Sequence, residues 1–171
     1  LALCANFLSI PVPHLRTFAV IFCLGPSALP GCNAKELVAL TTEAQAPTLR
    51  VEQALLGSSL SGGFDLAVKQ GSEASGSTTV TLNDLGIRTQ GGPVVLDSLP
   101  VEVSPTFPFD LAPGKSQTVR FELDDGKTID AEAAGQLCGT GQKFEFFGAV
   151  SDSLSGDATP FASASFQVDC P

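Results

Sequence analysis

The chain has no Trp, no Tyr and no Met, and its single His, His14, falls in the first fifth of its 171 residues. Each absence removes a class of function. With no imidazole beyond residue 14, the bulk of the chain holds no Ser-His-acid triad, no histidine zinc site and no histidine general base. Neither a G-x-S-x-G nor an S-x-x-K stretch occurs, which disfavours serine-hydrolase and penicillin-binding chemistry. The missing Trp and Tyr also take away the usual sugar-stacking platforms. Nor is there an apolar run near the roughly 20 residues that cross a membrane as a helix. In the one region that approaches it, Pro11, Pro13, Arg16, Gly25 and Pro26 interrupt the run.

Basic residues are scarce. All 18 acidic residues but only 8 of the 9 basic ones lie beyond Cys32, so that part carries a net charge of −10. Such acidity gives a soluble surface and repels nucleic acid and anionic lipid headgroups, so no nucleic-acid partner is expected.

What is present begins with an apolar run, Thr17 to Leu29, sized for the core of an export signal. His14 and Arg16 form its positive flank, Phe18-Ala-Val-Ile-Phe-Cys-Leu24 its centre and Leu29-Pro-Gly-Cys32 its small-residue end. At these residues the segment resembles the signal of bacterial lipoproteins, with Leu29 three positions before Cys32 and Gly31 just before it. The resemblance implies that Cys32 becomes the lipidated N-terminus, anchored in a membrane. Asn33 directly after it is similar to outer-membrane sorting in Gram-negative lipoproteins. Two other readings stay open: secretory cleavage after Ala34, giving an unanchored secreted domain, and an uncleaved buried element.

Cys4 and Cys23 fall in this leader, so only Cys138 and Cys170 remain for the folded part. Two thiols in an exported chain read as one disulfide. If the chain folds back about Leu154-Ser155, Phe146 faces Ala162, Phe144 faces Ala164 and Cys138 faces Cys170. That register puts Ala162, Ala164, Phe166 and Val168 on the inward face and makes the bond the closure of the last hairpin.

The expected organisation is a leader over 1–32, a tether over 33–47 and one domain over 48–171, long enough for a single core. Beyond Pro47 the dominant period is two, the mark of half-buried strands. Candidates are Leu49/Val51, Phe64/Leu66/Val68, Val80/Leu82, Leu85/Ile87 past a bulge or turn at Asn83-Asp84, Val94 to Leu96, and Val101/Val103. Val94 to Leu96 and Val101/Val103 are expected to form a pair broken at Pro100. Phe107/Phe109/Leu111 carries Pro105 and Pro108 and belongs at an edge or a sheet-switching corner. Val119/Phe121/Leu123 follows, then a hairpin turn at Asp124-Asp125-Gly126 with a return strand from Thr128 to Ala133. Phe144/Phe146 and Ala162 to Val168 complete the set, and Gly139-Thr-Gly141 reads as a hairpin or bulge. The twelve Phe point to core filling.

Strands at this spacing predict an all-β, antiparallel sandwich of about seven to nine strands. The stretch Phe109-Asp-Leu-Ala-Pro-Gly-Lys-Ser-Gln-Thr-Val-Arg-Phe121 resembles bacterial immunoglobulin-like and fibronectin-III-like domains, in which a Pro-Gly turn leads into an alternating strand. The resemblance implies an immunoglobulin-like sandwich, without the Trp and tyrosine corner of antibody domains.

Carboxylates are the remaining chemistry. Asp124, Asp125 and Asp130 form one candidate set of oxygen ligands for calcium, and Asp152 with Asp157 another. Neither set has the spacing of a calcium loop, and turn formation explains both better. The expectation is therefore a domain without metal or cofactor that serves a structural or binding role at the bacterial cell envelope. Its partner would be a protein or an envelope polymer, met through loops or an exposed edge strand. The rival is an envelope hydrolase with two acids converging in a cleft.

Overall fold

The computed structural model describes residues 40–54, 57–124, 127–139 and 141–171. Among these, two antiparallel sheets pack face to face as an all-β sandwich of ten strands, with one short helix. The first sheet runs in the order β1 (Leu40–Ala54), β2 (Gly57–Gln70), β7 (Ser116–Leu123), β5 (Val101–Ser104), and β8 (Thr128–Ile129) also pairs with β2. The second sheet runs β10 (Ala158–Ala162), β9 (Phe144–Asp152), β3 (Thr78–Thr89), β4 (Val94–Leu96), with β6 (Phe109–Leu111) beside the start of β3.

Strict alternation is what makes these strands. In β2, Phe64, Leu66 and Val68 are buried while Asp65, Ala67 and Lys69 face outward; β7 repeats the pattern with Val119, Phe121 and Leu123. Phenylalanine ties the layers together. Phe64 stacks on Phe121 within its own sheet at 4.6 Å and on Phe146 of the other sheet at 4.7 Å, and Phe146 stacks on Phe166 at 4.9 Å. Each buried Phe contributes roughly 1.5–3 kcal/mol by leaving water, so this column is a principal fastening between sheets.

Proline placement determines the crossing between sheets. The chain leaves β5 in the first sheet and enters β6 in the second through Pro105 to Pro108, the sheet-switching corner expected there. It returns through a turn at Ala112-Pro113-Gly114-Lys115, closed by Lys115 N donating to Ala112 O at 3.0 Å, with Gly114 at φ +71°. That is the Pro-then-Gly chemistry of a type II turn. The bulge expected near Asn83-Asp84 is present as a register shift between Leu82 and Asp84.

Five expectations need correction. Residues 40–47, assigned to the tether, are the first half of β1. Leu40 and Ala44 face inward on even positions, whereas Leu49 and Val51 do so on odd ones, because a bulge between Gln45 and Thr48 shifts the parity. Val94–Leu96 and Val101–Ser104 are not a pair, since they lie in different sheets. The return strand expected over Thr128 to Ala133 is only β8, which pairs with β2 rather than β7, followed by helix α1 (Ala131–Leu137). Gly139 and Gly141 lie in the connection from α1 to β9 rather than in a hairpin.

The last hairpin is also out by one residue. Ala162 faces Phe147 and Phe161 faces Gly148, so Phe161 and Ser163 point inward while Ala162 and Ala164 are exposed. Ser163 is tolerated inside because its hydroxyl accepts from Phe146 N at 3.0 Å and donates to Ala164 O at 2.9 Å.

The free side of β1 is closed by the end of the chain. After β10, residues 163–170 run parallel to β1, bridging Ala44 to Ser163 and Arg50 to Asp169. This covers an edge that would otherwise present unpaired backbone groups. The opposite edge, β5, is only four residues long and lies between Pro100 and Pro105.

Candidate functional site

Of the candidate calcium ligands, the structure describes Asp124, Asp130, Asp152 and Asp157. Asp130 is the N-cap of α1, its Oδ1 accepting from Ala133 N at 2.7 Å. Asp124 lies at the end of β7, where its backbone N donates to Pro100 O at 2.9 Å. Asp125 and Cys32 lie outside the described residues.

Asp152 is buried at the end of β9 and organises the β9–β10 loop. Its Oδ1 accepts from Leu154 N at 2.9 Å and Ser155 N at 2.7 Å, its Oδ2 from the Ser155 hydroxyl at 2.5 Å, and Thr78 Oγ1 lies 3.5 Å away. Burial pushes this carboxyl up, but the Ser155 hydroxyl, the two loop amides and Thr78 outweigh it and hold it below the usual 3.8. Asp157 is exposed beyond the turn, its backbone N donating to Ser155 Oγ at 3.0 Å. The carboxylate thus serves as a turn template. Among the described residues, no group of three or more His, Cys, Asp or Glu side chains is placed to hold a metal ion.

On the outer face of the first sheet, Arg120 stands between two acids. Its Nε lies 2.7 Å from Glu122 Oε1 and its Nη1 3.4 Å from Asp65 Oδ1. The Glu122 hydrogen bond, then the charges of Glu122 and Asp65, raise the guanidinium above its ordinary value. A shallow recess of about 320 Å³ adjoins it, framed by Thr48, Gly62 and Gly63 beside the β1 bulge. The glycines are required there: a Cβ on Gly62 would lie 2.4 Å from Thr48 O, and one on Gly63 would lie 2.0 Å from Phe121 O. The guanidinium offsets the charge of both acids and leaves a polar surface beside the recess. The alternation marks Asp65, Arg120 and Glu122 as outward-facing, but only the β2–β7 register sets Asp65 opposite Arg120.

The end of the sandwich that carries α1 is more varied. Arg88 Nε pairs with Glu145 Oε1 at 2.6 Å, the glutamate side chain only 13% exposed, and the guanidinium lies 5.3 Å from the centroid of the Phe147 ring. Gly91 N also reaches Glu145 Oε1 at 3.4 Å, tying the β3–β4 loop to β9. Beside it, Thr89, Gln90, Pro93, Gln142 and Lys143 line an open recess of about 460 Å³. Its polar, uncharged and basic groups can hydrogen-bond a polar or acidic chain. Sequence reasoning singled out none of these residues, because they come from separate loops.

Cys138 and Cys170 are joined, with their Cα atoms 5.9 Å apart. The expected pair is right and its structural setting is different. Cys138 is the C-cap of α1, so the bond fastens the helix to the chain end instead of closing a hairpin. No protein-family model matches the chain, and no curated protein matches it.

Proposed function

We propose that the chain is an exported β-sandwich, held at the bacterial cell envelope by lipid on Cys32, that acts as a structural or binding module. The observation that carries this reading is the Cys138–Cys170 disulfide, because such bonds persist in oxidising compartments outside the cytoplasm. The apolar run ending in Leu29-Pro-Gly-Cys32 supplies the export signal and the anchor point.

With β1 beginning at Leu40, an anchor on Cys32 leaves residues 33–39 as the linker. Seven residues span at most roughly 25 Å, so the domain would stay close to its membrane. The end bearing Leu40, Gln70 and the β9–β10 loop would then be nearer the lipid. The end with α1 and the recess lined by Gln90, Gln142 and Lys143 would point away, free to meet a protein or envelope polymer. An immunoglobulin-like ancestry of the sandwich is consistent with the Pro113-Gly114 turn that leads into β7.

Metabolic fatty-acid labelling tests the anchor. The native chain should take up label and fractionate with membranes, and Cys32→Ser should lose both properties. At about 0.8 kcal/mol per buried methylene, several acyl chains make the attachment effectively permanent. Equal membrane retention of the variant would refute the anchor.

A further inference from the structure

We propose that the Cys138–Cys170 bond is a redox-operated latch on the C-terminal strap, residues 163–171, and that reducing it uncovers part of the β1 edge while the sandwich stays folded. The inference stands on the strap and its bond, independently of an anchor at Cys32.

The strap is held at its start, where Ser163 N donates to Phe146 O at 2.9 Å, at Phe166, and more lightly near its end. At Phe166 it exchanges two backbone hydrogen bonds with Phe144, both 2.9 Å, and its ring stacks on Phe146 in the core. Nearer the end, Val51 N donates to Asp169 O at 2.9 Å and Asp169 N to Leu49 O at 3.0 Å. The accompanying Arg50–Asp169 ion pair, at 3.4 Å, is largely exposed and adds little. Apart from these bonds the end is held by the half-buried Val168 side chain alone, and chain ends so held fray unless something ties them down. The disulfide is that tie, one residue beyond Asp169.

The bond is also reachable. Cys170 is exposed and Cys138 half-buried. A recess of about 280 Å³ lined by Cys138, Gln142, Gln167 and Cys170 opens on one side, and one of about 350 Å³ lined by Val51, Ser58, Ala134 and Cys138 on the other. A dithiol reductant can therefore approach without unfolding the domain. Its thiolate attacks Cys170 Sγ, forming a mixed disulfide and breaking the Sγ–Sγ bond, with Cys138 leaving as thiolate. The reductant's second thiol then closes its own disulfide and releases Cys170. Two electrons and two protons pass from the dithiol to the two cysteines.

With the bond gone, the segment after Phe166 leaves β1, freeing the Leu49 carbonyl and the Val51 amide, while Phe166 remains docked. The test is amide hydrogen exchange on the full native chain, before and after dithiothreitol, with iodoacetamide to count thiols. Both thiols should alkylate without denaturant and with an unchanged far-UV circular dichroism spectrum. Exchange at Val51 and Asp169 should accelerate by about 10-fold or more, with Phe144 and Phe166 unaffected. The double variant Cys138→Ser/Cys170→Ser should show the same pattern without reductant. Alkylation only under denaturing conditions would overturn the proposal. So would unchanged exchange at Val51 after reduction, acceleration at all four amides together, or a double variant that does not fold.

Discussion

Phe161 lies opposite Gly148 across the β9–β10 hairpin and lays its ring where a side chain would otherwise stand. A Cβ on Gly148 would be 2.6 Å from Phe161 Cζ and 2.2 Å from the Asp84 backbone oxygen. Glycine therefore lets β3, β9 and a core aromatic meet at one point. Gly148→Ala must displace backbone and should destabilise by about 1 to 3 kcal/mol. Gly135, inside α1 with open space around it, is the matched control: Gly135→Ala should stabilise by about 0.5 to 1 kcal/mol. Urea midpoints of the two variants should move in opposite directions.

Asp152 gives the stability a definable acid dependence. Its carboxyl is held below the unfolded value of 3.8, so the unfolded chain binds more protons between the two values. Its contribution is therefore complete above about pH 4 and is lost as pH falls through the folded value. Asp152→Asn should lower stability at neutral pH by about 1 to 3 kcal/mol and flatten the acid limb of the curve. Denaturant titrations from pH 7 down to pH 2 check both. Parallel curves for native and variant protein would remove Asp152 from the acid response.

Calcium should not stabilise the domain. Asp130 Oδ1 is engaged at the start of α1 and both Asp152 oxygens by its own loop, so a calcium ion would compete with those bonds. Melting temperatures with calcium and with chelator should agree within about two degrees. A rise of about 10 °C would mean that a metal site assembles from these acids.

Much of the sandwich was legible because its central strands are buried on one face only. Phe64/Leu66/Val68 and Val119/Phe121/Leu123 announce themselves by alternation, and Pro105 with Pro108 mark the corner between sheets. Elsewhere the signal was broken by features that hydrophobic pattern does not register. The bulge between Gln45 and Thr48 swaps the inward parity of β1, which made its first half read as a tether. Ser163 is buried by virtue of its hydrogen bonds, while the apolar Ala162 and Ala164 are exposed, so the hairpin register read one residue off. Helix α1 is too short for periodicity to show, although Asp130 three residues before Ala133 was an available N-cap signal. The Arg120 cluster and the recess beside Gln90 required strand register and loop convergence, and neither is written locally in the chain.

Intact mass of the mature protein from its native host, measured with and without reductant, tests the central reading most directly. An exported, lipid-anchored domain predicts a chain beginning at Cys32, heavier than its amino acids by a diacylglyceryl group and an acyl chain. Reduction should then add only the two hydrogens of the Cys138–Cys170 bond. A mass showing residues 1–31 retained, no acyl groups and no change on reduction would contradict both export and anchoring.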